Sequence, residues 1–138
     1  MVFQCFFSLA QEKKKIKVSA PYYDKNEIEY PGATILTRNS KRQIYIEHEG
    51  IEMWCDKAYH YSKQDSISAF GNVKIKQGDS IQLKSNVANY SGTTKLAFTA
   101  GNVVLTEPKS TLKTDTLFFD RIKQQAFYKS GGVVNHEE

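Results

Sequence analysis

Apolar and polar side chains alternate along much of this chain with a period of two. Val73 and Ile75 lie between Lys74 and Lys76, and Ile81 and Leu83 lie between Gln82 and Lys84. Successive side chains of a strand point to opposite faces, so this pattern predicts strands with one apolar face and one lysine-bearing face. Gln77-Gly78-Asp79 separates the two runs as a hairpin turn, its glycine free to take backbone angles that other residues avoid. Further strands are predicted over residues 33–37, 42–48 and 51–55, with turns at 38–41 and at Glu49-Gly50. Ser91-Gly92-Thr93 and Glu107-Pro108-Lys109 mark later turns. No stretch carries the 3.6-residue period of an amphipathic helix, and Val, Ile, Thr, Tyr and Phe favour strands. The expected fold class is all-β.

The strands recur in a fixed frame. Gly71-Asn72-Val73 returns as Gly101-Asn102-Val103 and again as Gly131-Gly132-Val133, 30 residues apart each time. A second marker keeps nearly the same register: Met53-Trp54-Cys55-Asp56, Leu83-Lys84-Ser85-Asn86 and Leu112-Lys113-Thr114-Asp115. Two markers in one register predict stacked supersecondary units of short antiparallel strands, an open-ended stack whose repeats bury their apolar faces against neighbours. The glycines read as bulge or turn residues, since no helix follows them. Asp56, Asn86 and Asp115 read as turn or strand-end residues bonding local backbone. Positions two and four beyond them (Ala58 and His60, Ala88 and Tyr90, Leu117 and Phe119) should share one inner face, with His60, Tyr90 and Phe119 forming a stacked column.

Composition changes this picture little. Forty per cent hydrophobic residues exclude general disorder. Of the net charge of +4, residues 11–17 supply three, through Lys13, Lys14, Lys15 and Lys17 against Glu12. The remaining lysines and acids are interspersed, which describes a solvated surface, and no nucleic acid is expected as a partner. Residues 1–10 are uncharged and end in Ser8-Leu9-Ala10, resembling the tail of a signal peptide whose basic beginning is absent. That run is about half of the ~20 apolar residues a membrane-spanning helix needs. Three segments follow: residues 1–10 as a signal-peptide remnant, 11–26 as a polar, flexible lead-in, and 27–138 as the β domain. The domain is expected to be truncated, because the chain stops just after the third Gly-Gly-Val element.

Candidate chemistry is sparse. His48, His60 and His136 have no zinc spacing, and there is no nucleophile elbow, phosphate loop or dinucleotide fingerprint. Cys55 fills the slot of Ser85 and Thr114 and reads as a small-residue substitute. Asp120-Arg121 reads as a turn ion pair. Nothing in these residues singles out an enzyme activity, a metal or a cofactor.

The run from Glu47-His48-Glu49-Gly50 through Met53-Trp54-Cys55-Asp56-Lys57-Ala58-Tyr59, then Ala69-Phe70-Gly71-Asn72-Val73 and Gln77-Gly78-Asp79, resembles the OstA-like domain. That domain defines the LptA-type lipopolysaccharide-transport proteins, here similar to the version in Bacteroidetes-type bacteria. Thr114-Asp115, Asp120-Arg121 and Gly131-Gly132 fit the same layout, so the resemblance covers roughly residues 27–134. It implies an open-ended β-jellyroll in the periplasm, with an apolar groove for the acyl chains of lipopolysaccharide. It also implies end-to-end joining, to further copies or to other lipopolysaccharide-transport proteins, as a bridge towards the outer membrane. It implies no enzyme activity, metal or cofactor. The period-2 apolar residues are the expected groove lining. They are Ile44, Ile46 and Met53; Ala58, Val73 and Ile75; Ile81, Leu83, Ala88 and Tyr90; Leu96, Phe98, Val103 and Leu105; Leu117 and Phe119. Two other functions fit the pattern. A structural or adhesive β-repeat module would have a filled interior, and a carbohydrate-active enzyme would have carboxylates ~5–10 Å apart in a cleft.

Overall fold

The computed structural model describes residues 14–123, 125–128 and 133–136, the last four by backbone alone. Every regular element among them is a strand: β1 (Lys17–Ser19), β2 (Tyr22–Asp24), β3 (Ala33–Thr37), β4 (Ile44–His48), β5 (Ile51–Cys55) and β6 (Lys57–Tyr61). Four long strands follow, β7 (Ser66–Gln77), β8 (Ile81–Ser91), β9 (Leu96–Glu107) and β10 (Ser110–Asp120), and then β11 (Gln125–Tyr128) and β12 (Val133–His136). All neighbours pair antiparallel, the pairing that short hairpin connections permit. Residues 14–26, expected as a flexible lead-in, instead carry β1 and β2, which pair with β4 and β3. Their alternation was obscured because β2 exposes all three of its side chains.

Each long strand bends near its middle. The pairing slips between Phe70 and Val73 on β7, between Lys84 and Val87 on β8, and between Thr114 and Thr116 on β10. Gly71-Asn72 and Gly101-Asn102 sit in these slips with positive φ at all four residues, the geometry that makes a bulge and turns a strand. The slips line up across the sheet and divide it into two half-sheets. One holds β1, β4, β5 and β12 with residues 73–77, 81–85, 103–107 and 110–114; the other holds β2, β3, β6 and β11 with residues 66–70, 87–91, 96–100 and 116–120.

The two sequence markers prove to be one device. A Cβ on Gly71 would meet the Asp56 side chain at 3.0 Å, and one on Gly101 would meet Asn86 at 2.7 Å. The acidic or amide marker therefore packs against the glycine of the next strand, which explains their shared register. The Asp56 side chain, expected to bond local backbone, bonds other side chains instead. Its carboxylate accepts hydrogen bonds from Arg38 (2.9 Å), Gln43 (3.0 Å) and Asn72 (2.7 Å). Partial burial pushes its pKa up, but those three donors and the Arg38 charge prevail and hold it below the ordinary value.

The half-sheets close on each other through apolar side chains. Ile44, Ile46, Met53 and Val73 of the first pack in one buried cluster with Leu36, Ala58, Ile67 and Ala88 of the second. Cys55 is fully buried in that cluster, and burial, reinforced by nearby Asp56, pushes its thiol to about 12. It is a packing residue, as its slot beside Ser85 and Thr114 suggested. A second cluster joins Leu83, Val103, Leu105, Leu112 and Leu117.

Candidate functional site

Between the two clusters lies an apolar crevice. Ile51, Met53, Ile75, Ile81, Leu83 and Leu105 line it from the first half-sheet, and Ala88, Tyr90, Ala97, Thr99 and Phe119 from the second. Its cavity volume is about 40 Å³, far below the ~300–1,000 Å³ of ordinary ligand sites. The crevice is narrow, so an occupant has to part the half-sheets. No charged side chain lines it, which favours an uncharged, apolar occupant.

The alternation of each strand decides which residues reach this space. Eight of the expected lining residues do: Met53, Ile75, Ile81, Leu83, Ala88, Tyr90, Leu105 and Phe119. Ile44, Ile46, Ala58, Val73, Val103 and Leu117 face inward too but are buried in the clusters. Leu96 and Phe98 are a correction. They lie on the outer face, where Phe98 packs against Phe118 at 4.7 Å, and their neighbours Ala97 and Thr99 face the crevice instead. On β8 and β10 the bulge shifts the inward positions from odd to even numbers or the reverse, whereas on β7 and β9 the Gly-Asn pair leaves the parity unchanged. Leu96 and Phe98 were expected as period-2 apolar residues, but on β9 the inward positions are those of Ala97, Thr99, Val103 and Leu105. Ile51, Gln77, Ala97 and Thr99 were missed, although the parity of Met53, Ile75 and Val103 along the same strands points to all four. His60, Tyr90 and Phe119 do share a row, but Ile67 and Ala97 stand between them, so the rings form no continuous column.

A polar tie spans the mouth of the crevice. His48 Nδ1 and the Tyr90 hydroxyl are hydrogen-bonded at 2.7 Å. Arg121 donates to that hydroxyl (3.1 Å), to the His48 carbonyl (3.2 Å) and to the Glu49 carbonyl (2.8 Å). Lys95 pairs with the Glu49 carboxylate at 2.8 Å, and its hydrogen bond is the main reason that the Glu49 pKa lies below the ordinary carboxylate range. Burial outweighs the Arg121 hydrogen bond at Tyr90 and raises its phenol, which stays a neutral hydroxyl. Arg121 is thus no turn ion pair with Asp120. Asp120 instead accepts from the Ile122 and Lys123 amides, closing the turn after β10. Nothing in the sequence signals a contact across 73 residues.

Residues 16–138 match the family described as OstA-like protein. The chain belongs to that family. No curated protein matches it. Among solved structures, the OstA-like chain is similar to LptH of Pseudomonas aeruginosa, described as the LptA-homologous periplasmic component of the lipopolysaccharide transport device. The TM-score is 0.69 over 86% of this chain and 85% of that one, at 11% identity. Likeness at that identity establishes a shared fold, the all-β jellyroll with unclosed ends, as the resemblance implied.

Proposed function

We propose that this OstA-like chain is a periplasmic carrier of lipopolysaccharide, holding acyl chains between its half-sheets and passing them along a row of end-to-end subunits. The apolar crevice carries this reading. An acyl chain gains ~0.8 kcal/mol for each methylene removed from water, and the lining offers no charge that would oppose it. The likeness to a periplasmic transport component and the family membership support the same compartment and cargo class. Among the described residues β1 and β2 at one end, and β11 and β12 at the other, pair on one side only, which suits strand addition by another copy or by a further transport protein.

The test is mass spectrometry of lipid extracted from protein purified out of a Gram-negative periplasm. Wild type is expected to bring lipopolysaccharide with it, and Ile81→Asp, which puts a charge on a half-buried lining position, to lose most of it while keeping its β circular dichroism. Val73 and Val103 are unsuitable, since both are about 1% exposed and a charge there would unfold the core. Lipid-free wild type, or equal lipid in Ile81→Asp, would overturn the assignment.

A further inference from the structure

One polar atom in the crevice has no partner. The side-chain oxygen Oε1 of Gln77 is buried without a hydrogen bond, although Gln77 lines the apolar space. Its cross-strand neighbours are Ile51 on β5 and Ile81 on β8, neither of which offers a polar side chain. The other polar groups of the lining are accounted for. The Tyr90 hydroxyl is held by His48 and Arg121, the Thr99 hydroxyl donates to the Leu117 carbonyl at 3.2 Å, and Asn89 is exposed to solvent. A buried acceptor without a donor is a net cost to the empty protein, and such groups in native folds call for an explanation.

We infer that Gln77 recognises a hydroxyl group on the acyl chain that occupies the crevice, so that the site selects hydroxylated chains over plain ones. This inference rests on the carrier reading above. A hydroxyl both donates and accepts, and so satisfies the amide in either orientation of its O and N atoms. The position of Gln77 also sets where the hydroxyl must lie. It is the last residue of β7, beside the Gly78 turn and far from the bulges that join the half-sheets. That places it at the rim of the crevice, close to where the polar end of an inserted chain emerges. The selected hydroxyl is therefore near the headgroup end of the chain. A site with a buried hydrogen-bonding group discriminates against the analogue that lacks its partner, because the group is then left unpaired.

The experiment measures binding of 3-hydroxyhexadecanoate, 16-hydroxyhexadecanoate and hexadecanoate to the purified chain by displacement of a fluorescent fatty acid, in wild type and in Gln77→Leu. Wild type is expected to bind the 3-hydroxy acid about five- to tenfold more tightly than the other two, the value of one net hydrogen bond. Gln77→Leu should abolish that preference and, by removing an orphaned polar group, raise the denaturation midpoint of the empty protein. Equal affinities in wild type, an equal gain for the 16-hydroxy acid, or a preference that survives Gln77→Leu would each overturn the inference while leaving the carrier reading intact. A lowered midpoint would also overturn it, by assigning the amide a structural bond. Failure of all three acids to bind would remove the carrier reading, and this inference with it.

Discussion

At Gly101 the backbone has φ near +83°, and a methyl group there would stand 2.8 Å from the Cβ of Asn86. Both the left-handed angle and the close approach demand glycine. Gly101→Ala is expected to cost about 1–3 kcal/mol, the range for a residue forced into a sparsely populated backbone region, read from chemical denaturation. Because steric contact with Asn86 is part of that cost, Asn86→Gly should recover some of it, and the double variant should lose less than the two singles summed. A strictly additive result would disprove the pairing of the two markers. The sequence displayed both markers and their period. Their mutual contact was illegible, because a side chain packing on a neighbouring strand's glycine leaves no local pattern.

Among the elements, the turns decide how the half-sheets meet. The β4–β5 turn supplies Glu49, the β8–β9 turn Lys95, and the end of β10 Arg121, and together they tie the mouth of the crevice. Arg121→Ala is expected to lower stability by about 1–2 kcal/mol, since hydrogen bonds from a charged group are worth ~1.5–3 kcal/mol when buried and less near solvent. It should also quicken uptake of a fluorescent fatty acid in stopped flow, because the mouth then parts more readily. Unchanged uptake would show that the tie does not gate entry. The Glu49 carboxyl has a depressed pKa, so its stabilising contribution is present above the ordinary carboxylate value and is lost as pH falls through the depressed one. At neutral pH the tie is intact.

At the scale of the whole molecule, the described sheet ends in strands that each pair on one side only: β1 and β2 at the start, β11 and β12 at the finish. They are three or four residues long, and short edges limit promiscuous pairing without abolishing it. The sedimentation coefficient is expected to rise with protein concentration as copies add end to end. Phe127→Lys places a charge on the exposed β11 edge and should shift that rise to higher concentration without altering the monomer. A concentration-independent monomer in wild type would exclude self-assembly through these edges.

The period-2 alternation and the 30-residue repeat determined the strands, their hairpins and the all-β class, because each depends on residues within one strand or its nearest neighbour. Eight of the residues that border the crevice, from Met53 to Phe119, were also named by alternation. The outward turn of Leu96 and Phe98, the strands of the N-terminal lead-in and the reach of Arg121 to Glu49 were settled only when the sheet bent over its bulges. The physical reason is distance along the chain. Alternation is set by adjacent peptide units, whereas the facing of two half-sheets depends on how every bulge adds to the next.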